Sequence, residues 1–202
     1  MLDLPLLDLT ILAVIAMAVV FDFFNGFHAS SNIVATMISS GALNPRAALI
    51  LASVAQFSGP FLFGVAVAGT IGREVVKLDV IPIAVVLAML AAAIFWNILT
   101  YIIGIPSSSS HALIGGLLGA AIVSNGMGVV LIDGLTKVIV ALIGSPILGF
   151  FVGWMIMRLV LFLARGASPN INGFFKRAQI LTSLALAFSH GTNDAQKTMG
   201  VM

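Results

Sequence analysis

The sequence predicts an all-α, polytopic membrane protein, and three observations carry that reading. Of 202 residues, 60% are hydrophobic and only 8% are charged, with no cysteine; a soluble domain carries about 25% charge. The mean hydropathy is +1.19. The apolar residues also fall in runs of the length a bilayer crossing needs, about 20 residues. A soluble enzyme or a nucleic-acid binder is excluded, and the lipid bilayer becomes the first expected partner. The net charge of +2 is a small difference in a charge-poor chain and implies no nucleic acid.

Taken in order, the runs occupy residues 4–24, 47–71, 80–103, 111–123, 137–163 and 178 onward. Five are long enough to span. The fourth would make only about 20 Å of helix at 1.5 Å per residue, which suits a half-helix or a re-entrant hairpin. Gly104-Ile105-Pro106 breaks the helix before it. Asp3 and Asp8 stand where a secretory leader would be basic, so the first run is expected to be a retained helix. Arg158, Arg165, Lys176 and Arg177 cluster without an acid, which makes that loop the expected cytoplasmic one. Counting crossings back puts the Arg46 loop inside, the Lys137 and Arg73/Lys77 loops outside, and the N-terminus outside. The acids Glu74, Asp79 and Asp133 share those outside loops.

Each histidine lies in a polar island within apolar surroundings: residues 25–32 around His28, Ser107-Ser108-Ser109-Ser110-His111, and residues 189–194 around His190. Polar clusters at membrane depth are costly and face a bundle interior or an aqueous path. Laid over one another, the first and third islands match Phe23 with Phe188, Gly26 with Gly191, His28 with Asn193 and Ala29 with Asp194. Their helices are expected to run in opposite directions, as in inverted repeats with a site near the midplane.

Asn25, Asn32, Thr36 and Ser39 share one helix face, as do His190, Asp194 and Lys197. Such oxygen stripes suit a hard cation such as sodium; an Asp194–Lys197 pair is the structural alternative. Asp22 has no basic neighbour in sequence and is a candidate for a proton or a cation. The serine island precedes a short glycine-rich helix. Serine caps helix N-termini, whose free N–H groups and partial positive charge hold anions such as phosphate. Trp96 reads as an interface anchor, with Asn97 and Thr100 near the same cavity.

The stretches Phe21-Asp22-Phe23-Phe24-Asn25-Gly26-Phe27-His28 to Asn32, Gly104 to His111, and Gly191-Thr192-Asn193-Asp194 resemble the inorganic phosphate transporter (PiT) family, whose order and spacing the chain follows throughout. The resemblance implies a non-enzymatic secondary transporter of two inverted repeats with discontinuous helices. It would import inorganic phosphate by sodium or proton symport and alternating access, commonly as a homodimer, in the cell inner (plasma) membrane. It implies phosphate ligands at Ser107, Ser108, Ser109, Ser110, Ser31 and Thr192. Cation ligands would be Asn25, Asn32, Asn193 and Asp194, beside Asp22, and no cofactor is expected beyond bound sodium.

Two departures stand out. Ala29 occupies a position where the family usually has Asp, and the chain holds about half of a family member, a truncated inverted-repeat fold. On this reading the single transmembrane domain 1–202 divides into a first repeat at 1–165 and the start of a second at 178–202. The rival expectations are an ion channel and a truncated or degenerate, non-transporting paralogue that binds phosphate or pairs with a second half.

Overall fold

The computed structural model describes residues 9–63, 75–77, 81–105 and 107–200. The start of the first apolar run, the end of the second, Arg73, Glu74, Asp79 and Pro106 lie outside the described residues. Among the described residues six α-helices follow in order: α1 (Leu9–Ser39), α2 (Pro45–Phe63), α3 (Ile83–Ile103), α4 (Ser109–Asn125), α5 (Ile132–Leu163) and α6 (Asn172–Met199). The only extended pairing among those residues is an isolated bridge between Val76 and Val130, so the all-α expectation holds.

The helix ends follow local chemistry. α1 closes on Gly41 at φ 64°, with Ala42 N–H donating to Met37 O at 3.0 Å and Gly41 N–H to Ile38 O at 3.0 Å, the paired bonds of a Schellman cap. Asn44 Oδ1 accepts from Ala47 N–H at 2.8 Å and Pro45 opens α2, where a missing N–H costs nothing. Gly104, at φ 76°, ends α3. α4 then starts behind Ser108, whose side chain accepts from the His111 N–H. The serine island therefore forms the tip of an α3–α4 hairpin. By contrast, α1 runs unbroken through the first island.

Three described helices, α1, α3 and α5, are long and apolar enough to cross a membrane, against five runs in the sequence. Two causes account for the difference. Description of α2 stops at Phe63, and α6 alternates polar residues through His190, Asn193, Asp194, Gln196 and Lys197.

Two apolar clusters flank the polar middle of α1. Val14, Ala18 and Phe21 pack with Val85, Met89 and Ala93 of α3 and Leu113 and Leu117 of α4. Further along, Ile33, Val34 and Met37 pack with Ala48, Ala52 and Ala55 of α2 and Ala187 of α6. Residues 22–32, which carry Asp22, Asn25, His28 and Asn32, lie between these clusters. α1 and α6 run antiparallel, as the island comparison expected: Asp22 meets Thr198, Thr36 Oγ1 lies 3.2 Å from Ser183 Oγ, and Lys176 Nζ donates to Gly41 O at 3.3 Å. The Arg46 loop and the start of α6 thus share a face, as the charge pattern required. α5 buries little beyond Gly134 and exposes a long apolar surface including Phe150, Phe151 and Trp154.

Candidate functional site

The three islands meet around one cavity of about 250 Å³. α1 contributes Asn25, His28, Ala29 and Asn32; α3 contributes Asn97; Ser107 to Ser110 come from the hairpin tip; α6 contributes His190, Asn193, Asp194 and Lys197. On both α1 and α6 the lining residues recur at helical spacing, so each helix turns one polar face inward. The four α1 positions are the mates of the four α6 positions in the sequence overlay.

Two of the four serines are oriented to donate. Trp96 Nε1–H donates to Ser107 Oγ at 2.8 Å, and His111 N–H donates to Ser108 Oγ at 3.5 Å. Each hydroxyl has an N–H in its acceptor position, leaving its proton as the free group. The first-turn N–H groups of α4 have no intrahelical acceptor, and the helix dipole adds partial positive charge there. The formal charges balance: Lys197 Nζ donates to Asp194 Oδ1 at 3.1 Å, with side chains 8% and 20% exposed. An incoming anion meets hydroxyl protons, amide protons and an ammonium; a cation meets amide oxygens and one carboxylate. Among the described residues no group of three His, Cys, Asp or Glu could hold a metal ion, so a cation here would depend on those amide oxygens.

Eight of the eleven residues expected at the site line this cavity: Asn25, Asn32, Ser107, Ser108, Ser109, Ser110, Asn193 and Asp194. The other three lie outside its lining. Ser31 donates to His28 O at 3.4 Å and faces an adjoining recess of about 470 Å³ with Tyr101 and Thr100. Thr192 donates to Phe188 O at 2.9 Å and packs against Gly59. Asp22 accepts from Thr198 Oγ1. Sequence reasoning put His190 and Lys197 on the Asp194 face but named neither of them, nor His28, as a ligand, although the spacing of residues 25, 28 and 32 carried the same signal for His28.

The family model described as the phosphate transporter family matches residues 25–168. A probable low-affinity inorganic phosphate transporter of Bacillus subtilis (strain 168) is 46% identical over 200 residues, covering 98% of this chain and 60% of that protein. One of the same description from Streptomyces halstedii is 40% identical, covering 93% of this chain and 89% of that one. The low-affinity inorganic phosphate transporter PitA of Escherichia coli (strain K12) is 33% identical, with 96% and 45% covered. The chain therefore spans about three fifths of the Bacillus protein and under half of the Escherichia one. In fold it is similar to a solved structure titled the sodium-dependent phosphate transporter, with TM-score 0.76, 20% identity, and 95% of this chain and 66% of that chain covered. With island order, hairpin and membrane-length helices all in agreement, this membrane chain belongs to the phosphate transporter family, one of transporters rather than enzymes.

Proposed function

We infer that the chain binds inorganic phosphate in the four-helix cavity and carries it across the bilayer together with sodium or protons, by alternating access. The observation that carries this reading is the convergence of Ser107 to Ser110, at the start of α4, with the amide-bearing faces of α1 and α6 on one cavity. Serine hydroxyls and α4 N–H groups hold the phosphate oxygens. Asn25, Asn32, Asn193 and Asp194 supply oxygens to the coupling cation. The antiparallel, matched faces of α1 and α6 support an inverted-repeat origin, and the two apolar clusters flanking the cavity support rocking of one body against the other. The apolar helices support a membrane location; placement in the inner (plasma) membrane as a homodimer, with the N-terminus outside by the Lys/Arg pattern, completes the proposal.

Uptake of labelled phosphate into proteoliposomes tests the reading. Ser108→Ala combined with Ser109→Ala removes two hydroxyl donors to a charged acceptor, each contributing about 1.5–3 kcal/mol; phosphate affinity should fall about a hundredfold or more. Undiminished uptake would remove the serine tip from the site. A channel would share the cavity but carry phosphate without a cation gradient, so uptake that persists after collapse of both sodium and proton gradients would overturn symport. Trp96→Phe keeps an aromatic ring and loses the Nε1–H that orients Ser107, along with the pyrrole half of the indole. Phosphate binding to that variant, measured by titration, should weaken about fivefold, the equivalent of one hydrogen bond of about 1 kcal/mol.

A further inference from the structure

Two buried side-chain atoms among the described residues have no hydrogen-bond partner, Asn97 Nδ2 and His28 Nδ1. Both residues line the same cavity as the serines and Lys197. Asn97 is 4% exposed, so water does not freely compensate its amide. Buried polar groups are ordinarily paired, and an orphan at a cavity wall points to a partner that arrives with a ligand. The two orphans differ in kind: the Asn97 amide nitrogen is a donor only, whereas His28 Nδ1 accepts when the ring proton sits on Nε2. The His28 ring stands edge-on to Tyr101, with centroids 6.5 Å apart. The other acceptors on the wall have partners of their own in this reading: Asp194 Oδ1 receives the Lys197 ammonium, and the Asn25, Asn32 and Asn193 amide oxygens are those proposed for the coupling cation.

Resting on the reading of this cavity as a phosphate site, we propose that Asn97 and His28 read the protonation of the bound oxyanion. Asn97 Nδ2 donates to a bare oxygen, and His28 Nδ1 accepts the proton of a P–OH group. Near neutral pH phosphate keeps at least one O–H, and so does arsenate. Sulfate and monofluorophosphate are tetrahedral dianions without one, and they leave His28 Nδ1 facing an oxygen or fluorine with no proton between. A site built to bond a ligand's hydroxyl rejects the analogue that lacks it, because its own buried atom is left unpaired. His28 thus sets selectivity, and Asn97 sets affinity for any such oxyanion.

The experiment measures labelled phosphate bound to the purified full chain in detergent, against unlabelled competitors. In the unaltered protein, arsenate should compete within about threefold of phosphate, and sulfate and monofluorophosphate should be weaker by about tenfold or more. His28→Phe should weaken phosphate about tenfold and leave sulfate unchanged, erasing the discrimination. His28→Gln, whose Oε1 accepts, should restore it. Asn97→Leu should weaken phosphate and sulfate alike. Unaltered protein that binds phosphate but takes sulfate or monofluorophosphate equally well overturns the proposal and leaves the phosphate site standing, as does a His28→Phe variant that still discriminates. Unaltered protein that binds no phosphate overturns both. The analogue series on the unaltered protein decides the matter even where a variant fails to fold.

Discussion

Gly191→Ala is expected to destabilise the protein by about 3 kcal/mol or more, at the upper end of overpacking costs, and to abolish phosphate binding. A Cβ at residue 191 would overlap the Gln56 carbonyl oxygen and stand 2.6 Å from its carbonyl carbon and Cα. These are backbone atoms of α2, so no rotamer change relieves the clash. The contact is reciprocal: a Cβ on Gly59 would lie 2.5 Å from Phe188 O and 2.8 Å from Thr192 Oγ1. α2 and α6 therefore touch backbone to backbone, the close approach that small residues permit between membrane helices. A methyl group at either position drives the helices apart. Asn193, Asp194 and Lys197 follow Gly191 within two turns of α6 and would leave the cavity with it. Gly119→Ala is the control. Nothing lies within 4 Å of the place its methyl group would take on α4, and alanine favours a helix interior over glycine by up to about 1 kcal/mol. Thermal unfolding in detergent should show a large fall for the first variant and none for the second; equal melting would mean that α2 and α6 do not meet here.

How much of this could be seen in the sequence depends on what each residue type reveals alone. Asn25, Asn32 and the four serines declared themselves because amides and hydroxyls crowd together where lipid would punish them. The serine tip was legible for a second reason, since Gly104 and Pro106 mark a break and Ser108 a helix start. The register of the first and third islands was also legible, and the structure sets them on antiparallel helices. Direction around a helix was harder to see. Ser31 and Thr192 are each one position from a lining residue, Asn32 and Asn193, and one residue is about 100° of rotation at 3.6 residues per turn, enough to turn a side chain off the cavity. His28 stood at helical spacing from Asn25 and Asn32, and Asn97 beside Thr100, but neither pointed to a ligand role of its own, because a polar side chain on a membrane helix usually finds a partner in the fold. Their lack of one emerges only from three-dimensional packing. The Asp194–Lys197 pair lay between these cases: the three-residue spacing allowed it, and the geometry makes it, at 3.1 Å.

That pair yields the second large effect. Lys197→Met should cost about 3 kcal/mol of stability, the lower end for breaking a buried ion pair, because the Asp194 side chain keeps 20% exposure and water screens part of its stranded charge. Asp194→Asn on its own strands the ammonium in the same way, with Lys197 buried to 7% exposure. Combining Asp194→Asn with Lys197→Met removes both charges, and most of the lost stability should return, since desolvation of two ions offsets much of their attraction. Phosphate binding should follow a different course. If the pair serves only to hold α6 together, the double variant binds as the unaltered protein does. If Lys197 supplies the positive charge that an oxyanion meets in a cavity of zero formal charge, binding stays lost when stability is regained. A double-mutant cycle read twice, once by unfolding and once by phosphate titration, separates the two roles of the pair: recovery in both assigns it to the scaffold, and recovery in the first alone assigns it to the ligand site, through the ammonium that meets the oxyanion or the Asp194 carboxylate proposed for the coupling cation.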